Sequence, residues 1–309
     1  MIPVRTAGTP STFSIAGELS VSRLGLGTMS LPGSGVWGHP RDPEGARRLL
    51  RRARELGIDF FDTADSYGPE VSEVLICEAL SPYEDVVIAT KGGLTRQGPG
   101  RWSRDCRPEY LRSACEASLQ RLGIEQIDLY QLHTVDPAVP LEESLGALVE
   151  LQAEGKVKHI GICNVTVAEL ERAIRVAAVA SVQNRFSLAD RSSLDLVRLC
   201  ERKGIAFVAW APLGKGALAR DDRTLAAVAA DLGWTSAQTA LAWVLHVSPA
   251  TIAIPGTASV VHLEEDVGAT ALRLEPEQVR ELAPHTYRHG RTVRRPARVL
   301  RRMTSWVRR

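Results

Sequence analysis

At 309 residues, with 44% apolar side chains, the chain is long enough for one barrel-sized domain or two ordinary ones and reads as a soluble globular protein. The first fifteen residues mix Arg5 with prolines and threonines, and no apolar run approaches the roughly 18 residues a membrane span needs; these features argue against secretion or membrane insertion and for the cytoplasm. The formal charge of +2 is uneven: residues 288–309 hold nine arginines and no acid, so the remainder carries a net −7.

In chain order, apolar strand-like runs alternate with stretches of helical period. Thr12-Phe13-Ser14-Ile15, then Ala16-Gly17-Glu18-Leu19, reads as a small hairpin that would plug the N-terminal end of the fold. A run at 23–27 precedes a helix over 43–56, in which Ala46, Leu49, Leu50 and Ala53 mark one face. Phe60-Phe61 precedes a helix over 71–80. Residues 86–89 lead through a long polar loop to a helix over 108–122, with proline in its first turn and Gly123 as its stop. Residues 129–132 precede a helix over 141–153, 159–162 one over 167–178, and 180–182 one over 193–203. The run at 205–209 precedes paired helices over 225–232 and 236–246, and a last strand at 251–254 ends at Pro255-Gly256. Eight such alternations predict a (β/α)8 TIM barrel of α/β class, with an N-terminal β-hairpin, as a single domain over 1–285.

A doubly wound dinucleotide fold fits less well. It wants G-x-G-x-x-G after the first strand. Gly25-Leu26-Gly27 is followed by Thr28-Met29-Ser30, without a third glycine; Gly214-Lys215-Gly216-Ala217-Leu218-Ala219 has the looser form but comes two thirds of the way along the chain. The cysteines at 77, 106, 115, 163 and 200 are odd in number and lack C-x-x-C spacing, which suits reduced thiols and predicts no metal site.

Four ionisable residues stand just past successive apolar runs: Asp62, Tyr67, Lys91 and His133. In a parallel barrel all such strand ends open on one face, so these four can meet around one pocket. Singly, each has an ordinary account as a helix cap, a solvated amine or a structural imidazole, and it is the joint placement that points to chemistry. A lysine is kept at 91 although the chain has five lysines against thirty-three arginines. An ammonium about 4 Å from a phenol favours the phenolate by roughly 4 kcal/mol at an effective dielectric near 20, on the order of three pKa units at most, so Tyr67 is expected to become a usable acid. Asp62 would hold Lys91 charged and aimed, and a neutral His133 would orient a substrate oxygen.

Asp62-Thr63-Ala64-Asp65-Ser66-Tyr67-Gly68, with Lys91, His133 and Gly161-Ile162-Cys163-Asn164 in order, resembles the aldo-keto reductase superfamily over residues 12–285. The resemblance implies NADPH-dependent reduction of an aldehyde or ketone, with Asp62, Tyr67, Lys91 and His133 as a catalytic tetrad and Tyr67 as general acid. It also implies that Asn164 and Gln183 hold the nicotinamide carboxamide and that Trp210 stacks on the ring. Pro212, Leu213, Gly214, Lys215 and Gly216 would lie over the pyrophosphate, and Gly27, Thr28 and Met29 under the ribose. Gly256, Thr257, His262, Glu265 and Asp266 fall in the segment that takes the adenosine end. That segment departs from the family: a lysine and an arginine common there are replaced by Gly256 and His262, and an asparagine by Asp266, which weakens recognition of a 2′-phosphate and leaves NADH admissible. Cys163 and Phe186 replace a common serine and tyrosine. Trp37 and Trp102, in the loops after the first and third strands, are expected to wall the substrate pocket and to suit an apolar or aromatic carbonyl. Two other activities stay open on the same barrel, a non-catalytic redox-sensing role and a mainly alcohol or sugar dehydrogenase role. For 286–309 the arginines predict a disordered, solvated tail, or a basic amphipathic helix touching an anionic surface or partner; specific nucleic-acid binding is not expected, since no recognition motif accompanies them.

Overall fold

The computed structural model describes residues 11–214 and 223–282. The Arg-rich stretch, together with Lys215 and Gly216, lies outside these residues. The chain begins with an antiparallel hairpin of β1 (Thr12–Ile15) and β2 (Leu19–Ser22). Ile15, Leu19 and Val21 enter the base of the barrel among Phe60, Leu129, Val208 and Ile252, so the hairpin is the plug that its apolar residues predict.

Eight parallel strands follow in a sheet whose neighbours run in sequence order. These are β3 (Leu26–Gly27), β4 (Phe60–Asp62), β5 (Val87–Gly92), then, after an antiparallel pair β6 (Leu94–Gly98) and β7 (Arg101–Arg104), β8 (Ile127–Leu132), β9 (Val157–Cys163), β10 (Val179–Arg185), β11 (Ala206–Trp210) and β12 (Thr251–Ile254). The first and last strands meet, with Gly25 N donating to Ala253 O at 2.9 Å and Gly27 N to Pro255 O at 3.0 Å. A nearly closed barrel results, and every strand's C-terminal end opens on one face.

The helices around it are α1 (Pro43–Glu55), α2 (Val71–Leu80), α3 (Pro108–Leu122), α4 (Leu141–Ala153), α5 (Val167–Ala173), α6 (Leu194–Lys203), α7 (Arg223–Leu232), α8 (Ser236–Val247), α9 (Val260–Gly268) and α10 (Pro276–Leu282). Their ends follow local chemistry. Pro108 opens α3 and Gly123 closes it at φ 67°; capping boxes pair Thr166 with Glu169 and Thr235 with Gln238. Leu141, Leu145, Leu148 and Leu151 give α4 one buried stripe, the pattern by which these helices cover the sheet.

Two elements differ from the sequence expectation. The helix from Val167 ends at Ala173 rather than near 178, because the chain must turn back to reach β10: Arg175 N and Val176 N bond three residues back, to Arg172 O and Ala173 O. The polar loop after β5 is the β6–β7 hairpin, pairing Leu94 with Arg104 and Arg96 with Trp102. Its strands lie on the rim and are mostly polar, so no buried stripe announces them.

Inside the barrel, Gly161 is what lets polar side chains fit: a Cβ there would lie 2.8 Å from Gln131 Cγ and collide with Ser181 Oγ. Gly161→Ala is therefore expected to cost about 1–3 kcal/mol by overpacking, read as a lower urea midpoint at unchanged slope; an unchanged midpoint would show that Gln131 and Ser181 are free to move aside.

Candidate active site

Alternation along the strands aims Asp62, Lys91, Gln131, Cys163 and Gln183 at the barrel axis from five neighbouring strands. Their centre is an ion pair. Lys91 Nζ donates to Asp62 Oδ1 at 2.6 Å and to Thr63 O at 2.6 Å, and Lys91 is wholly buried. The second oxygen of Asp62 accepts from Gln183 Nε2 at 2.6 Å and Gln131 Nε2 at 3.1 Å. Every polar atom of the pair that faces protein is thus engaged, as a charge removed from water requires. Burial disfavours the Lys91 ammonium, but the charge of Asp62 and its hydrogen bond hold the amine above its ordinary pKa.

Tyr67 hangs over this pair on the turn after β4, where its N–H donates to Ala64 O at 3.1 Å. Lys91 Nζ lies 5.1 Å from its ring centroid. The ring meets His133 edge-on at 5.8 Å and Trp102 edge-on at 6.5 Å between centroids. Burial, and then the Lys91 charge, push His133 well below its ordinary pKa, so the imidazole is neutral; its Nδ1 is buried without a partner.

One electrostatic expectation is reversed. Burial pushes the Tyr67 phenol up to about 12, against the opposing pull of Lys91, and Asp62 adds to the rise. The ammonium is not a lone charge: Asp62 neutralises it at 2.6 Å, so the phenol meets a dipole rather than a cation, and desolvation wins.

A cavity of about 1000 Å³ opens over these groups. Asp62, Tyr67 and His133 line it, with Gly27, Thr28, Met29, Asn164, Gln183, Trp210, Pro212, Leu213, Gly256, Thr257, His262, Glu265 and Asp266. Gly214 is not among the lining residues. Trp37 and Trp102 are not either; they flank the Arg96 guanidinium at 5.7 and 3.8 Å, and the wall near Tyr67 is instead made by Pro32, Gly33, Ser34, Gly35 and Val36. Asn164 sits at φ 58°, donates through Nδ2 to His133 O at 3.0 Å and accepts from Trp210 Nε1 at 3.0 Å, so amide and indole are fixed together. Gln183 spends its Nε2 donors on Asp62 and Gln131, leaving its carbonyl oxygen to accept. At the far end no described lining residue is Lys or Arg. Asp266 is 4% exposed there, and burial, with Glu265 beside it, pushes its carboxyl up to about 7.

Sequence reading missed Gln131 and Arg96. Gln131 was legible, since it lies two residues before His133, near the C-terminal end of β8; Arg96 gave no signal, because its partners are main-chain carbonyls of other loops. The replacement of tyrosine by Phe186 is absorbed in the core, edge-on to Phe207 at 5.7 Å and stacked on Trp243 at 5.8 Å.

A largely apolar cavity at the C-terminal mouth of a (β/α)8 barrel, with a buried ion pair, a phenol and a neutral imidazole gathered at one end, is a site of the kind barrel enzymes build on that face. The chain matches the model of the aldo/keto reductase family over residues 23–286 and belongs to that family. It is 46% identical to an uncharacterised oxidoreductase of Schizosaccharomyces pombe, over 84% of this chain and 85% of that protein. It is 41% identical to pyridoxine 4-dehydrogenase of Escherichia coli, over 86% and 95% respectively. Among solved structures, a glycerol dehydrogenase from Gluconobacter oxydans superposes with a TM-score of 0.80 at 27% identity, covering 88% of this chain and 94% of that one. An aldo-keto reductase from Klebsiella pneumoniae in complex with NADPH gives 0.76 at 27%, covering 88% and 93%. The chain is thus an oxidoreductase, and none of its described helices is long and apolar enough to cross a membrane.

Replacing one partner of the central pair leaves the other charge buried and alone. Lys91→Met is expected to lose about 3–5 kcal/mol of stability, and adding Asp62→Asn to return part of it; equal denaturation midpoints for the single and double variants would show that the pair is not coupled.

Proposed function

We propose that the protein reduces an uncharged aldehyde or ketone to the alcohol with NADPH, Tyr67 donating the proton. The observation that carries this reading is the meeting of Tyr67, His133 and the Asp62–Lys91 pair at one mouth of the cavity. Small-molecule and cofactor pockets run to roughly 300–1,000 Å³, and a site of about 1000 Å³ stands at the upper end of that range, where an extended dinucleotide and a small carbonyl can lie together. The donor set fits too: Asn164 and the free carbonyl of Gln183 suit a carboxamide, and Trp210, locked to Asn164, offers a flat face for a ring. A reduced nicotinamide bound there supplies the hydride that the carbonyl carbon accepts.

The protein's own groups manage the proton. His133, neutral, donates a hydrogen bond to the substrate oxygen and fixes its place. Tyr67 is fully protonated at working pH, and its phenolic proton passes to that oxygen as the oxygen becomes an alkoxide, a stronger base than a phenolate. Lys91 then faces the phenolate left behind, and solvent returns the proton. Asp62 acts through Lys91, holding the ammonium charged and in line. A phenol raised to about 12 keeps its proton at neutral pH before cofactor binds, which is the form that reduction uses; oxidation would use the phenolate as base. The E. coli relative named for pyridoxine places pyridoxal and other aromatic aldehydes at the head of the panel to try.

Tyr67→Phe is expected to lower kcat at least about a hundredfold in NADPH consumption with such a panel, leaving NADPH binding unchanged; near-normal turnover would remove Tyr67 from the role. A second expectation concerns the adenosine end. As pH rises from 6 to 8, Asp266 ionises near its shifted value of about 7 and sets an anion against the 2′-phosphate. NADPH should bind several-fold more weakly across that range, NADH should change little, and Asp266→Asn should flatten the NADPH curve, all followed by quenching of tryptophan fluorescence. Parallel curves for the two dinucleotides, or tighter NADH at every pH, would place the 2′-phosphate elsewhere.

A further inference from the structure

Arg96, on the rim hairpin, is a half-buried guanidinium with no Asp or Glu within ion-pair distance among the described residues. It is held between two indole rings, 3.8 Å from the Trp102 centroid and 5.7 Å from that of Trp37. Its Nη1 donates to Val36 O at 2.6 Å and to Ser66 O at 3.1 Å; its Nη2 donates to Gly35 O at 2.7 Å and to Gly98 O at 3.3 Å. These acceptors belong to three separate segments. Gly35 and Val36 form the cavity wall, Ser66 immediately precedes Tyr67, and Gly98 closes strand β6. Val36 also sits at φ 55°, a left-handed backbone that a β-branched residue adopts only when its surroundings force it. Trp102, stacked on the same guanidinium, presents its edge to Tyr67.

We propose that Arg96 is a positioning residue for the reaction: it holds the strained wall at Gly35 and Val36 and the carbonyl before Tyr67 in one geometry, and so sets the substrate end of the cavity and the aim of the phenol. A planar fork is needed, because one group must serve carbonyls on both sides while stacking between two rings; a lysine presents a single ammonium and no face. All four Nη donor directions are taken by main chain and Nε is buried without a partner, so no donor of Arg96 is presented to an anionic substrate in the cavity. The inference rests on the reductase reading above.

The test uses the full chain as Arg96→Lys, Arg96→Gln and Arg96→Ala, with benzaldehyde and 4-carboxybenzaldehyde as substrates. For the Lys and Gln variants kcat/KM should fall at least about tenfold, as a small misplacement of a reacting group does, by the same factor for both aldehydes, while NADPH affinity stays within about threefold of the wild type. Millimolar guanidinium should restore activity to the Ala variant and ammonium should not. Amide exchange over residues 33–38 should quicken in all three variants but not in Tyr67→Phe. Activity within twofold of wild type in the Lys and Gln variants would overturn the proposal. So would loss confined to the carboxylate-bearing aldehyde, or loss of NADPH affinity in step with activity. A wild-type chain that reduces neither aldehyde would bring down the reductase reading instead, and the exchange rates would then decide on the clamp alone: unchanged exchange refutes it.

Discussion

The Asp62–Lys91 ion pair is the constraint from which the rest of the site follows. A lone ammonium at the axis of a closed barrel would be too costly to keep charged. With Asp62 at 2.6 Å it is stable, and the carboxylate's other oxygen then demands donors, which Gln131 and Gln183 supply. Gln131 needs space in a barrel whose interior is otherwise packed, and Gly161 provides it. A strand glycine on β9 is thereby tied to a charge on β5.

Neutralising the pair also fixes the character of the phenol above it. Were Lys91 unpaired, Tyr67 would be drawn towards ionisation; beside a compensated dipole in a desolvated pocket it rises to about 12 and keeps its proton. The site therefore stores a proton rather than a base. A neutral His133 complements this, since it can donate a hydrogen bond without competing for the charge.

Much of this was legible along the chain. Repeated alternation of short apolar runs with helical stripes gave the barrel, and the boundaries of α3, α4 and β12 came out to the residue, because proline, glycine and leucine spacing act locally. Asp62, Lys91 and His133 stood out because each stands at or just past the C-terminal end of an apolar run. The rim hairpin and Arg96 did not stand out: β6 and β7 bury no continuous stripe, and the bonds of Arg96 run to carbonyls some 30 and 60 residues away. Trp37 and Trp102 were expected to wall the substrate pocket; they stand instead against the Arg96 guanidinium and are not among the residues that line the cavity.

By itself, then, the sequence determined which groups exist at which strand ends, since strand period and helix punctuation are properties of a few consecutive residues. Only the tertiary structure decided the electrostatic balance among them. The direction of the Tyr67 shift depends on desolvation and on a counter-charge across the barrel, and both arise from folding rather than from neighbours in the chain. The same holds for Asp266, whose carboxyl is raised by the burial that α9 gives it.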